Sequence, residues 1–178
     1  MKGQLILGVS GSIAAFRAAE LASALTQEGL EVETVMTERA CDFVGPLTFK
    51  ALTGRPVHTD DMPFNEPMAH IRLTDAAKLM LVAPASADAL ARLSLGLADD
   101  LLATTALTIS CPLWVAPAMN TKMWEQAVTR EHISRLTDRG VRILEPESGR
   151  LACGTVGSGR MMAVATIVEA VRSSGIFR

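Results

Sequence analysis

The opening 37 residues constrain the fold of this chain more than any other stretch. Residues 4–10, QLILGVS, form a continuous apolar run closed by glycine and serine, a pattern typical of a strand buried on both faces. Residues 12–29 space apolar side chains at helical intervals and stop at Gly29, and residues 30–37 predict a second strand. This order requires two parallel strands joined by a right-handed crossover.

The rest of the chain continues the alternation. Strands are predicted at residues 77–86, 112–120 and 141–146, and helices at 38–43, 46–53, 87–109 with a break at Gly96, 129–140 and 163–175. Residues 54–70 hold three prolines and no periodicity, so we expect a long loop. We predict one α/β domain over residues 1–178: a doubly wound parallel sheet of the Rossmann or flavodoxin-like kind, with helices on both faces.

Composition excludes several classes of protein. The chain is 49% hydrophobic with a net charge of −2 and no basic block, which indicates a folded protein without a nucleic-acid partner. Its apolar runs are shorter than the roughly 20 residues that a membrane helix needs. Three cysteines, an odd number without metal-binding spacing, indicate thiols in a reducing cytoplasm and no metal site. The surplus of aliphatic side chains favours an oligomer.

Three predicted strands end in tails of small residues: GVSGSIAA (8–15), APASADAL (83–90) and APAMNTKMW (116–124). The carboxyl ends of parallel strands meet at one edge of a sheet, where ligands bind. The turn at Ser10, Gly11 and Ser12 precedes a helix and offers N–H groups to an anion. It is neither G-x-G-x-x-G nor a Walker loop, and taken alone it is equally well a tight turn with a serine N-cap.

Other polar residues have a structural and a functional interpretation. Asn120 would cap the helix begun by TKMW or contact a ligand. His70 stands alone in MAHIRL, and a lone histidine is more often structural. Asp99 and Asp100 are adjacent on a predicted helix and do not face each other, which favours capping or orientation over a shared proton.

A glycine-rich segment over residues 146–162 carries Cys153 in RLACGTVGSGRM. A buried structural cysteine belongs in a helix or strand, so a cysteine held among glycines indicates a residue that must move or reach a ligand. We call residues 146–162 the flap.

Taken together, the motifs resemble the flavin-dependent cysteine decarboxylases, most of all the branch that acts on 4′-phosphopantothenoylcysteine in coenzyme A biosynthesis. The resemblance rests on GVSGSIAAFR, MTERACDFVGPLTFKALTG, MAHIRL, LVAPASADALARLSLGLADDLL, PAMNTKMW and LACGTVGSGRM. It covers nearly the whole chain, and the PAMN and ACG segments are its most specific parts.

The resemblance implies FMN as cofactor. The FMN phosphate would lie at Ser10, Gly11 and Ser12, and the flavin ring near the residues of the neighbouring tails. These further cofactor contacts would be Thr37, Ala85, Ser86 and Asp99. The same resemblance implies catalytic roles for His70, Asn120 and Cys153, and substrate contacts from Asn120, Met119, Ala152 and Arg160.

The implied reaction oxidises the substrate thiol to a thioaldehyde, which provides an electron sink for the departing CO2. Decarboxylation leaves an enethiol, and a proton and a hydride then convert it to 4′-phosphopantetheine. His70 would act as base or orient the reacting group, Asn120 would hold the carboxylate, and Cys153 would donate the proton. Relatives acting on peptidyl cysteine stop at the enethiol and lack this cysteine, so Cys153 favours the reductive reaction.

Family members form trimers, often assembled into dodecamers, with FMN between subunits, and in bacteria are commonly fused to a phosphopantothenoylcysteine synthetase. The chain is thus expected to be a stand-alone enzyme or one domain of a bifunctional protein. Alternatives are a flavin prenyltransferase, a peptidyl-cysteine decarboxylase, or a regulatory FMN-binding subunit that has lost catalytic residues. Arg17 stands where the family often has Lys, and Asp88 where many members have Asn, which puts those contacts in doubt.

Overall fold

The computed structural model describes residues 1–60, 69–150, 154 and 156–178, with the backbone alone for residues 69 and 70. The strands of this part are β1 (Gln4–Val9), β2 (Glu31–Met36), β3 (Val57–His58), β4 (Ala77–Ala85), β5 (Leu113–Pro117), β6 (Arg142–Ile143), β7 (Glu147–Arg150) and β8 (Val156–Arg160). The helices are α1 (Ala15–Gln27), α2 (Glu38–Cys41), α3 (Pro46–Thr53), α4 (Ala69–Asp75), α5 (Ala87–Leu95), α6 (Leu101–Thr108), α7 (Thr121–Trp124), α8 (Ala127–Asp138) and α9 (Val164–Ser173).

Six strands form one parallel sheet in the order β3-β2-β1-β4-β5-β6. Successive residues Leu5, Ile6 and Leu7 of the central strand β1 are fully buried, because helices cover both faces of the sheet. Leu5 and Leu7 pack in the core formed with α1 and α9, whereas Ile6 packs with α5, α6 and α8. The predicted doubly wound α/β fold is confirmed.

Residues 54–70, predicted as a loop, contain regular structure at both ends. Strand β3 pairs in parallel with β2, and α4 begins at Ala69. Glu33 on β2 accepts a hydrogen bond from the Arg55 side chain at 2.6 Å and lies 3.2 Å from Nε2 of His58. These buried polar contacts join β3 to the sheet and are invisible in the local sequence pattern.

Regular structure also occurs within the flap. Residues Glu147–Arg150 and Val156–Arg160 are paired antiparallel strands, the β7–β8 hairpin. Elsewhere the predicted bounds differ by a few residues, for example in β5, predicted over 112–120 and found over Leu113–Pro117. Helix α3 has the predicted bounds, with Pro46 in its first turn and Gly54 in a left-handed conformation at its end. Within the described ranges, no helix is long and apolar enough to cross a membrane.

Candidate functional site

The tails of β1 and β4 are joined by the side chain of Ser10. Its hydroxyl donates a hydrogen bond to the Pro84 carbonyl and accepts one from the Ser86 N–H, both at 2.8 Å. Ser10 is only 2% exposed. Its hydroxyl proton is therefore already used inside the protein, and the turn that follows must present other donors to a ligand.

Those donors are backbone N–H groups at the start of α1. Within the described residues, the N–H groups of Gly11 and Ser12 have no protein acceptor. The Ser12 hydroxyl accepts from the Ala14 N–H at 3.2 Å and reaches the Ala118 carbonyl at 3.4 Å. Free N–H groups at the positive end of a helix suit an anion, as the sequence predicts.

Glycine is required at position 11 by its neighbour. A β-carbon on Gly11 would lie 2.6 Å from the β-carbon of Arg39 on α2. The hydroxyl of Thr37 fixes α2 at this place, because it caps the helix by accepting a hydrogen bond from the Ala40 N–H at 3.2 Å. The turn and α2 therefore approach each other closely only because residue 11 has no side chain.

A cleft of about 670 Å³ lies on one side of this turn, and we call it the first cleft. Its lining comprises Ser12, Ile13, Ala14, Phe16, Arg17, Ala118, Met119, Asn120, Arg150, Gly159, Arg160 and Met161. Three arginines and no acidic residue are in this set, so the cleft favours an anionic ligand. Arg17 also lies over the Phe16 ring, 5.6 Å from its centroid.

Asn120 is oriented by its own helix. Its side-chain oxygen accepts a hydrogen bond from the Met123 N–H at 2.8 Å and so caps α7. Because the oxygen is used in the cap, the NH2 group of the exposed side chain keeps its two donors for a ligand, and Asn120 lines the first cleft. The capping and ligand interpretations of Asn120 are therefore compatible, and the cap orients the donors that a carboxylate would need.

A cleft of about 530 Å³ lies on the other side of the turn, and we call it the second cleft. Its lining comprises Ser10, Gly11, Thr37, Glu38, Arg39, Asp60, Ser86, Asp88, Ala89, Arg92, Asp99, Asp100, Leu102 and Ala103. Ser86 caps α5 by accepting from the Ala89 N–H at 3.2 Å. Two helices, α2 and α5, therefore begin at this cleft with hydroxyl caps.

Four of the five acidic side chains in this lining have partners. Arg92 donates to Asp88 at 2.8 Å and to Asp99. Asp60 accepts from the Leu101 N–H and Asp100 from the Ala103 N–H, both at 2.6 Å, so two carboxylates stabilise the start of α6. Burial raises the pKa of Asp100, and the nearby Asp60 charge adds to this effect.

Several predicted site residues meet at these clefts. Ser12, Met119, Asn120 and Arg160 line the first, and Ser10, Gly11, Thr37, Ser86 and Asp99 line the second. Ala85 lies instead in the core between the sheet and α5. His70 belongs to α4 by its backbone, while its side chain lies outside the described residues, as do Ala152 and Cys153.

The predicted site left out Arg92, which holds two carboxylates of the second cleft. Its spacing of four residues from Asp88 was a usable signal for a pair on one helix face. Phe16 and Ile13 were also missed, because exposed apolar residues at a helix start carry no distinctive pattern. Burial raises the pKa of the Cys111 thiol, which disfavours its reactive thiolate form.

Comparison with known proteins gives a consistent result. Residues 1–174 match the family described as Flavoprotein. The chain is 44% identical over 167 residues to the coenzyme A biosynthesis bifunctional protein CoaBC of Bacillus subtilis, covering 93% of this chain and 41% of that protein. It is 46% identical over 158 residues to CoaBC of Mycobacterium tuberculosis, covering 89% and 38%. The chain thus spans about two fifths of the length of these relatives.

Solved structures agree over almost the whole chain. A mutant of PPC decarboxylase complexed with pantothenoylaminoethenethiol matches with a TM-score of 0.85 and 32% identity, covering 97% of this chain and 98% of that one. The FMN-binding protein AtHal3 matches with a TM-score of 0.82 and 32% identity, covering 97% and 96%. The resemblance found in the sequence motifs is confirmed, and the chain belongs to the flavoprotein family.

Proposed function

We propose that this chain is the lyase that converts 4′-phosphopantothenoylcysteine to 4′-phosphopantetheine in coenzyme A biosynthesis, with FMN as cofactor. The observation that carries the proposal is the first cleft, whose lining among the described residues holds Asn120 and three arginines but no acidic residue. The substrate has an anion at each end, a carboxylate and a phosphate. A carboxylate suits the Asn120 amide, and a phosphate suits a guanidinium such as that of Arg160.

The residues of the turn and the second cleft fit FMN. The unpaired N–H groups of Gly11 and Ser12 are suited to its phosphate, and Thr37 and Ser86 line a cleft of sufficient size for its ring. The carboxylates there would oppose an anion, but Arg92 and the α6 N–H groups partly neutralise four of them. Bound FMN would supply the two-electron chemistry that the reaction needs.

The chain's own residues would bind and orient the substrate. Asn120 would hold the carboxylate in a fixed direction, because its cap to Met123 restricts the side chain. Arg150 and Arg160 end the two hairpin strands at the first cleft and would neutralise the phosphate. His70 as base or orienting group and Cys153 as proton donor remain predictions from the sequence resemblance.

We further propose a homotrimer, or a dodecamer built from trimers, with FMN between subunits. The carbonyl of Leu73 on α4 accepts a hydrogen bond from Gln4 at 2.9 Å, at the start of β1 and away from the clefts. The helix that carries His70 is thus attached near the opposite end of the strand, which favours a His70 supplied by a neighbouring subunit. Exposed apolar residues would supply interface area: Ile13 just before α1, Phe16 on α1 and Leu47 on α3.

The bifunctional relatives support a second catalytic partner. We propose that a phosphopantothenoylcysteine synthetase works with this chain, fused to it or as a separate protein, because the Bacillus subtilis relative is a bifunctional protein of coenzyme A biosynthesis of which this chain covers 41%. The cytoplasm, expected from the odd cysteine count, is the compartment in which we place both activities.

The test is incubation of the purified yellow protein with 4′-phosphopantothenoylcysteine under anaerobic conditions, with mass analysis of the product. Release of CO2 together with 4′-phosphopantetheine supports the proposal. A product two mass units lighter would instead identify an enzyme that stops at the enethiol, as the peptidyl-cysteine decarboxylases do. A protein that binds no flavin on titration, or binds it without releasing CO2, would overturn the assignment.

A further inference from the structure

We propose that Thr121 is a positioning residue for substrate binding: its hydroxyl fixes the β7–β8 hairpin so that Arg150 and Arg160 stay at the first cleft. This inference rests on the proposed function. It concerns the residue that directly follows Asn120 and to which the resemblance assigned no role.

The contact itself is a side-chain hydrogen bond to a strand backbone. Oγ1 of Thr121, in the first turn of α7, donates to the Ser158 carbonyl on β8 at 2.8 Å. One residue further along the hairpin, the Met119 N–H donates to the Gly159 carbonyl at 3.0 Å. Together the two bonds join β8 to the β5–α7 connection on both sides of Asn120.

Two glycines make room for this contact. A β-carbon on Gly157 would collide with Oγ1 of Thr121, and one on Gly159 would collide with the Met119 carbonyl. Gly159 also has φ of +116°, a conformation that residues with side chains rarely adopt. The glycines of β8, which weaken it as an isolated strand, are therefore required for its close approach to Thr121.

The hairpin carries two of the three arginines of the first cleft. Arg150 ends β7 and Arg160 ends β8. Arg160 also packs against Gly149 across the hairpin, since a β-carbon there would lie 3.1 Å from its Nη1. A hairpin that shifts relative to α7 would therefore move both guanidinium groups relative to the Asn120 amide.

The experiment compares Thr121→Val, which keeps the side-chain shape and loses the hydroxyl, with Thr121→Ser, which keeps the hydroxyl. In the FMN-loaded full chain, Thr121→Val should raise KM for 4′-phosphopantothenoylcysteine and the Kd for 4′-phosphopantetheine, measured by calorimetry, by roughly threefold to tenfold. The affinity of Thr121→Val for FMN should be unchanged. Thr121→Ser should have the KM and the Kd of the wild type, because it keeps the hydroxyl. Thr137→Val is the matched control, because the hydroxyl of that threonine donates to the Ile133 carbonyl within α8 at 2.9 Å.

A purely structural role for Thr121 would lower the melting temperature or flavin binding without raising KM, and that result overturns the proposal. Equal constants in Thr121→Val and the wild type overturn it as well. If wild-type protein neither turns over the substrate nor binds 4′-phosphopantetheine, the proposed function fails, and this inference fails with it. If the wild type is active and Thr121→Val has the same KM and Kd, the positioning role of Thr121 is wrong and the proposed function stands.

Gly157→Ala provides a second route if the valine variant does not fold. Its β-carbon would push against Thr121, so KM should rise in the wild-type background. In a Thr121→Ala background the added methyl group meets less obstruction and should have little further effect. A KM in Gly157→Ala equal to that of the wild type contradicts the proposal. So do changes in KM that are simply additive in the double variant Gly157→Ala with Thr121→Ala.

Discussion

Asn120 and Met123 are joined by a 2.8 Å hydrogen bond in which the side-chain oxygen of the former accepts from the backbone N–H of the latter. This bond uses the amide oxygen and leaves the amide donors free for a ligand of the first cleft, which Asn120 lines together with the arginines. A structural cap and a ligand-binding group are thus the same side chain, and substitutions can separate the two roles.

The substitution Asn120→Asp should separate the capping role of this side chain from its ligand-binding role. Aspartate also caps helices, so stability should remain close to wild type. The substrate carboxylate would meet a negative charge in place of two donors, and kcat/KM should fall by roughly 100-fold or more, since hydrogen bonds to charged groups contribute about 1.5–3 kcal/mol each. Steady-state assays of CO2 release check this. Asn120→Ala is the comparison, since it should lose the cap as well, at about 1 kcal/mol.

Gly11→Ala should weaken flavin binding. The new β-carbon would press on Arg39, and α2 can yield only by moving Thr37, which lines the second cleft. We expect the FMN dissociation constant to rise at least roughly tenfold, in line with the cost of overpacking. Titration of flavin fluorescence measures this constant. Gly45→Ala is the control, because no atom lies within 4 Å of that added carbon; equal affinity in both variants would contradict the prediction.

Glu33→Gln should lower stability in a pH-dependent way. Burial raises the pKa of Glu33, but hydrogen bonds from His58 and Arg55 and their charges outweigh it, so its pKa is lowered overall. The ionised form therefore stabilises the fold above the unfolded-state pKa, and this contribution disappears as the pH falls through the folded-state pKa. At pH 7 the substitution should cost about 1–3 kcal/mol.

Urea unfolding at pH 7 and at acid pH measures the difference. The gap between wild type and Glu33→Gln should narrow as the pH falls, because protonation removes the same charge from the wild type. Glu31→Gln is the matched control: that carboxylate is 59% exposed and lies 3.1 Å from Arg55, so its loss should cost under about 1 kcal/mol. A gap that stays constant with pH would show that Glu33 acts by packing alone.

Mixing two inactive variants should restore activity if each site uses two subunits. A trimer assembled from equal amounts of His70→Asn and Asn120→Asp chains contains some sites with both native residues. In random assembly, each of the two chains at a site has about an even chance of carrying the native residue that the site needs from it. About one site in four is therefore intact, and roughly a quarter of wild-type CO2 release is expected. The measurement requires co-expression and light scattering of the product. An inactive mixed trimer would place His70 and Asn120 of one site in the same chain.

The central strands of the sheet could be predicted from the sequence, whereas its edge strand β3 could not. Strands β1 and β4 were predicted to within one residue, because burial on both faces produces an uninterrupted apolar run. Strand β3 has only two residues and is joined to the sheet by the contact of His58 with Glu33, a tertiary interaction that no local pattern contains.

The same limit applies to the site. The edge at which Ser86 and Asn120 lie could be predicted, because parallel strands must end together. The hairpin could not, since glycines at 157 and 159 have low strand propensity and are explained only by the side chain and carbonyl they approach. Arg17 and Arg160, which the resemblance had already singled out, line the first cleft together with Arg150 and Asn120.

The turn between β1 and α1 belongs to both clefts, with Ser10 and Gly11 facing one and Ser12 facing the other. Any ligand that orders this turn from one side therefore changes the free energy of binding on the other side. Thermodynamic linkage makes the effect reciprocal: a cofactor that tightens substrate binding must be tightened by the substrate to the same degree. Residues 10–12 separate the two clefts. A variant selected to bind a new ligand in one cleft will consequently change the binding affinity of the other cleft.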